Sequence, residues 1–328
     1  MNNKTLNSLD KPNKNSKIQI LRAVAIMAVI VIHTYPLGIW GVFIRPFVNF
    51  AVAMFIFLSG YLTKTEIPDV KVFMAKRLKR VLIPYLIWSV IYLVPQKFDG
   101  FIVKLLTGSS CGIYYYIFVY IQFVILTPLI IKLVKSKYRW VGYIITPLST
   151  IVLRYVLIIS GNDFIGTEYK YLFTAWFIYY YLGIILGNNL IKVKKKPAFF
   201  IALYSIFILL SFGEGLFWYN YGNVDMTTSQ LRLTSLGISI IVIMLSYFYL
   251  KSEKSLRCNA VNKILLLIGD ASFGIYLSHM LILKFAKLLP VWKYAIFPIN
   301  SIIILTISLL CVLIGKKLLK KNSWLLGL

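Results

Sequence analysis

The chain alternates between apolar runs of about 16 to 21 residues and short polar connections rich in lysine and arginine. A helix needs about 20 apolar residues to cross the hydrocarbon core of a bilayer, so runs of this length predict membrane spans. Ten are placed, near 18–37, 46–63, 81–96, 111–131, 140–160, 172–190, 198–213, 233–250, 264–283 and 295–315. The third is short, its edge blurred by Pro95-Gln96, and the seventh can extend towards Trp218. No connection is long enough for a separate domain, and no fixed-period repeat is visible. The expected architecture is an all-α integral membrane bundle over 18–315. A disordered tail, 1–17, precedes it and a basic tail, 316–328, follows.

Composition agrees: 59% hydrophobic residues, 14% charged and a mean hydropathy of +0.80 exclude an ordinary soluble domain. The formal charge of +26 invites a nucleic-acid reading, but its distribution argues for none. Alternate connections, including both tails, carry 26 of the 36 basic residues. The opposite set carries eight (among them Arg45 and Arg232), and Arg22 and Arg154 fall inside spans. The positive-inside rule then places both termini in the cytoplasm, which requires an even number of spans. Cys111, Cys258 and Cys311 are scattered, so neither a disulfide framework nor a metal site is expected. The first run is too long for a signal peptide and lacks a cleavage site.

Ionisable residues inside spans are costly and mark interiors or solvent paths. Arg22 and His33 share the first run. Eleven residues of helix turn through about 1100° and rise roughly 16 Å, so both side chains share a face. His279, the second of only two histidines, lies as deep in the ninth run as His33 does in the first. Ser272, Tyr276 and His279 follow i, i+4, i+7 spacing and form one helix stripe. Asp270 is about half a turn out of phase with His279 and reads better as a partner for Arg22.

At these residues the chain resembles the membrane acyltransferase-3 family. Leu21-Arg22 through His33 is similar to its opening Arg-x10-His motif, and Val52 to Tyr61 to its aromatic run ending in Ser-Gly-Tyr. Lys76-Arg77-Leu78-Lys79-Arg80, followed by Pro84-Tyr85, resembles its basic cluster. Ser272-Phe273-Gly274-Ile275-Tyr276-Leu277-Ser278-His279 is similar to its late signature. The four lie in the family's order over nearly the whole chain. Where the family often has His-Leu-Trp-Phe, this chain has Gly112-Ile113-Tyr114-Tyr115-Tyr116, followed by Ile121-Gln122-Phe123. That resembles members acting on surface polysaccharides, including those labelled polysaccharide exporters.

The resemblance implies an O-acyltransferase. It would move an acyl group, commonly acetyl, from cytoplasmic acyl-coenzyme A to a hydroxyl of a surface glycan or lipid-linked oligosaccharide. The setting would be a bacterial cytoplasmic membrane. Neutral imidazole suits general-base work near pH 7, which points to His33. His279 either shares that chemistry or makes a polar helix contact, with Ser272 and Tyr276 lining the substrate path beside it. Arginine's fork suits the phosphates of acetyl-coenzyme A, which points to Arg22, Arg77 and Arg80. Each has a plainer reading: a topogenic cluster for Arg77 and Arg80, snorkelling for Arg22, an interhelical hydrogen bond for His33. Tyr114–Tyr116 read as an aromatic belt, Tyr179–Tyr181 as partnered or cavity-lining, Arg154 as snorkelling outward or binding substrate, and Gly60, Gly183 and Gly187 as close packing. The rival function is a glycan exporter without acyl-transfer chemistry.

Overall fold

The computed structural model describes residues 14–161, 168–252, 259–294 and 296–328. Among these there are helices and no strand. The helices are α1 (Lys14–Thr34), α2 (Trp40–Val48), α3 (Ala51–Tyr61), α4 (Val70–Leu93), α5 (Phe101–Thr107), α6 (Tyr115–Lys135) and α7 (Val141–Thr150). They continue with α8 (Phe177–Gly187), α9 (Pro197–Asn220), α10 (Val224–Thr228), α11 (Leu233–Lys251), α12 (Ala260–Ala286) and α13 (Ile299–Leu319). Nine helical segments among the described residues are long and apolar enough to cross a membrane. Some combine two helices, as α2 and α3 do across Trp40–Tyr61.

The sixth predicted span departs from the expected long helix. Two 3₁₀ turns, Tyr169–Tyr171 and Phe173–Ala175, precede the eleven-residue α8. Phe177 through Leu186 are all buried in protein, which is where irregular backbone at membrane depth is tolerated. Its tyrosines find partners there. Tyr180 Oη lies 2.8 Å from Thr127 Oγ1, and Tyr181 donates to the Arg139 carbonyl at 2.5 Å. The glycines explain its seat against α3. A Cβ on Gly183 would come 2.4 Å from the Phe57 carbonyl oxygen, and one on Gly60 2.2 Å from that of Tyr180.

Other boundaries move for local reasons. Asp69 caps α4, its side chain accepting from the Val72 amide at 2.9 Å. The Lys76–Arg80 cluster therefore sits on helix, not in a 64–80 loop. Residues 1–13 of the predicted tail lie outside the described residues, but α1 already begins at Lys14. Lys17 is buried and bonded to the carbonyl and hydroxyl of Ser252. The expected C-terminal tail is folded: α13 runs to Leu319 and a 3₁₀ segment, Lys320–Leu326, turns back onto α4. Trp88 Nε1 donates to the Leu326 carbonyl at 3.1 Å.

Candidate functional site

α12 packs along α1 more extensively than any other pair of helices in the described bundle. Gly269 permits the approach, since a Cβ there would lie 2.0 Å from the Gln19 carbonyl oxygen. The contact sets the Arg22–His33 stripe of α1 beside the Ser272–Tyr276–His279 stripe of α12.

A cavity of about 880 Å³ opens next to this seam, within the size range of ligand pockets (roughly 300–1,000 Å³). It brings together Arg22 from α1, Arg77 and Arg80 from α4, and Ser272 and Tyr276 from α12. The lysine-bearing end of the bundle forms its mouth, with Lys64, Lys76 and Lys316 in the wall. Val29, Val52, Phe55, Tyr116 and Tyr276 also line it. Glu66, Asp69 and Asp270 line it too, so the wall is mixed in charge with an excess of cations near the lysines, and apolar or aromatic along α1.

The three arginines lack carboxylate partners. None forms an ion pair among the described residues, and Arg22 and Arg80 are close enough to repel each other. Arg77 stacks over Phe73 at 4.6 Å, and its Nη1 is buried without a hydrogen-bond partner among the described residues. Asp270 lies within electrostatic reach of Arg22, as expected, but its bonded partner is Lys316 Nζ at 2.7 Å. Among the described residues Arg22 hydrogen-bonds Gln19 Oε1 alone, at 3.4 Å. An excess of cations around a cavity, one with an orphaned donor, suits a polyanionic ligand.

The histidines stand just past the inner end. Val29 lies one helical turn before His33 on α1, and the Tyr276 and His279 rings are 6.2 Å apart. The His33 and His279 rings approach to 5.4 Å. His279 is fully buried, with Nδ1 at 3.0 Å from the Ile275 carbonyl oxygen and 2.8 Å from that of Tyr276. Carbonyls only accept, so Nδ1 carries the proton and Nε2 presents a bare lone pair. That Nε2 is buried without a hydrogen-bond partner among the described residues. His33 is half-buried. Tyr276 and Tyr116, 5.5 Å apart edge to face, both line the cavity, and Tyr276 also meets His279. The Tyr276 hydroxyl is tied to the Ile113 carbonyl at 2.5 Å.

Sequence reasoning missed several residues here. Trp324 and Leu328 line the cavity, and the apolar Trp324-Leu325-Leu326 within a basic stretch was the available signal. Tyr114 is fully buried against Tyr85 and Tyr92 rather than in an aromatic belt, and Tyr116 faces the cavity. Arg154, on a π-helical turn (Ile151–Val156), neither snorkels nor reaches the cavity. It is 2% exposed and bonded to Asp225 at 2.5 Å. Arg45 and Arg232, assigned to connections, are buried because their segments fold back into the bundle. No cluster suited to a metal ion occurs among the described residues. Cys111 and Cys311 are free thiols, and Cys258 lies outside the described residues.

The chain is thus an all-α bundle of membrane-spanning length with a histidine pair beyond a cavity lined by arginines and lysines. The acyltransferase domain family matches residues 15–316, and the chain belongs to this acyltransferase-3 family of membrane proteins. No curated protein and no solved structure matches the chain. Membership assigns it acyltransferase-type activity with an acyl donor as substrate.

Proposed function

We propose that the protein is an O-acetyltransferase. It takes an acetyl group from acetyl-coenzyme A at the lysine-bearing face, which lies in the cytoplasm of a bacterial cell, and delivers it to a hydroxyl of a surface or lipid-linked glycan. The single observation that carries this reading is the shared cavity of Arg22, Arg77, Arg80, Ser272 and Tyr276, whose deep wall stops a helical turn short of His33. The charge asymmetry between alternate connections supports the orientation, with both termini in the cytoplasm.

In this reading the arginines bind the phosphates of the donor, and the apolar inner wall receives the pantetheine arm and thioester. The acceptor hydroxyl attacks the thioester carbonyl and loses its proton to a histidine. The C–S bond breaks, and the proton passes to the departing thiolate. His33 takes the role of base because it is the less enclosed of the pair. The fixed tautomer of His279 supports a role in orienting it or sharing the proton. Ser272 and Tyr276 hold the acyl end of the donor.

The test is structural analysis of surface glycan from cells with and without the gene. The proposal expects ester groups to vanish while the polymer persists. Loss of the polymer itself would instead identify an exporter.

A further inference from the structure

The half of the bundle beyond the histidine pair holds three buried arginines and, near them among the described residues, two carboxylates. Arg154 is paired with Asp225 at 2.5 Å and also donates to Ser229 Oγ at 3.0 Å. Arg232 is fully buried, donates to Ser211 Oγ at 3.0 Å, and lies in the field of Glu214. Arg45 is left over. It is 7% exposed, and the one hydrogen bond of its guanidinium runs from Nε to the Thr228 carbonyl at 2.7 Å. Its two Nη groups have no hydrogen-bond partner among the described residues, and it forms no ion pair there. Asp225 reaches Arg45 only through its field and is itself bonded to Arg154, and a cation held largely out of water without a bonded counter-charge is unfavourable.

Its surroundings say where a counter-charge would come from. Arg45 stacks over Tyr35 at 5.7 Å and lies within electrostatic reach of His33 and Tyr115. Tyr115 lies beside Gln230, whose Oε1 is buried and has no hydrogen-bond partner among the described residues. A bare guanidinium edge and a bare amide oxygen therefore occur in one neighbourhood, on the side of His33 away from the donor cavity. The first asks for an oxyanion and the second for a hydroxyl donor. A sugar carrying an acidic group offers both.

We infer that Arg45 binds an oxyanion of the acceptor, the carboxylate of an acidic sugar or the phosphate on a lipid-linked one, and so presents its hydroxyl to His33. The inference rests on the proposed transfer reaction, in which the acceptor meets the histidine pair from this side. Neutral glycans would then be the poorer acceptors.

Binding of glucuronate, glucose 1-phosphate and glucose is measured on the purified full chain in detergent. Saturating coenzyme A blocks the cytoplasmic cavity throughout. Charge-assisted hydrogen bonds of about 1.5–3 kcal/mol correspond to roughly a 10–100-fold preference for an acidic sugar over glucose. A preference for glucuronate points to the sugar carboxylate, and one for glucose 1-phosphate to the phosphate. Arg45→Gln should erase it with coenzyme A affinity unchanged. Arg45→Lys keeps the charge but not the fork, so it should weaken the acidic sugar several-fold and leave glucose alone. If Arg45→Gln loses coenzyme A as well, it has failed to fold, and the lysine variant decides. Equal binding of all three sugars to wild type overturns the inference, as does a lysine or folded glutamine variant with wild-type preference. Wild type that fails to bind coenzyme A would instead overturn the transfer reading beneath it.

Discussion

Arginines gather in two parts of this bundle, and both their burial and their neighbours differ. On the lysine-bearing side, Arg22, Arg77 and Arg80 surround a cavity with no carboxylate bonded to any of them. Toward the opposite side, Arg154 is clasped by Asp225, and Arg232 sits beside Glu214, which also bonds Tyr155 and Thr234. Only the second set is shut away from water, whereas Arg22 and Arg77 are half-buried and Arg80 is exposed. The second makes its polar contacts within the chain, linking the π-helical turn after α7 to α9, α10 and the start of α11. The first faces a cavity that, in the proposed function, receives the donor. Arginine in a membrane span is therefore informative only once its counter-charge has been located.

The largest effect that would break this contrast comes from the compensated side. Asp225→Ala removes the carboxylate bonded to fully buried Arg154, and breaking a buried ion pair costs up to about 3–5 kcal/mol. The thermal unfolding midpoint in detergent should drop strongly. An unchanged midpoint would make the two sets of arginines equivalent. On the cavity side the response should be the reverse. Arg77→Gln and Arg80→Gln should leave the midpoint nearly unmoved, because no carboxylate is stranded. Each should weaken acyl-coenzyme A binding by about tenfold or more, given 1.5–3 kcal/mol for a hydrogen bond to a charged group. Titration calorimetry gives that affinity directly, and unaltered binding would return both residues to a topogenic role. The smallest effect concerns the seam. Gly269→Ala forces a Cβ towards the Gln19 carbonyl oxygen, and overpacking of this kind costs about 1–3 kcal/mol. Stability and transfer rate should fall together, since the same contact aligns the stripes of α1 and α12. A variant that loses neither would show that the helices separate without consequence.

How much of this was legible in the sequence depended on whether the signal was local. The shared face of Arg22 and His33, and that of Ser272, Tyr276 and His279, follow from helical periodicity alone. Their meeting at 5.4 Å between the histidine rings agrees with the equal depths counted along two runs. The small-residue packing at Gly60 and Gly183 was legible for the same reason. Hydropathy failed where charge and burial coincide. Five basic residues between Lys71 and Arg80 hid the first turns of α4, although Asp69 carried the cap. Arg45 and Arg232 passed for connection charges because their burial depends on Thr228, Ser211 and Glu214, distant in sequence. The folded C-terminal segment was concealed by its lysines, since its docking depends on Trp88, more than two hundred residues away.

The central claim is that the cavity delivers a donor to a histidine pair that does the chemistry. Its most direct test is ester formation by purified wild-type protein and His33→Ala, with acetyl-coenzyme A and the isolated glycan acceptor. Donor affinity and thermal unfolding are measured on the same samples. The account predicts a rate lower by about 10²–10⁴-fold, the usual cost of removing a general base, with donor affinity and unfolding unchanged. A well-folded His33→Ala protein that acetylates at the wild-type rate would contradict it.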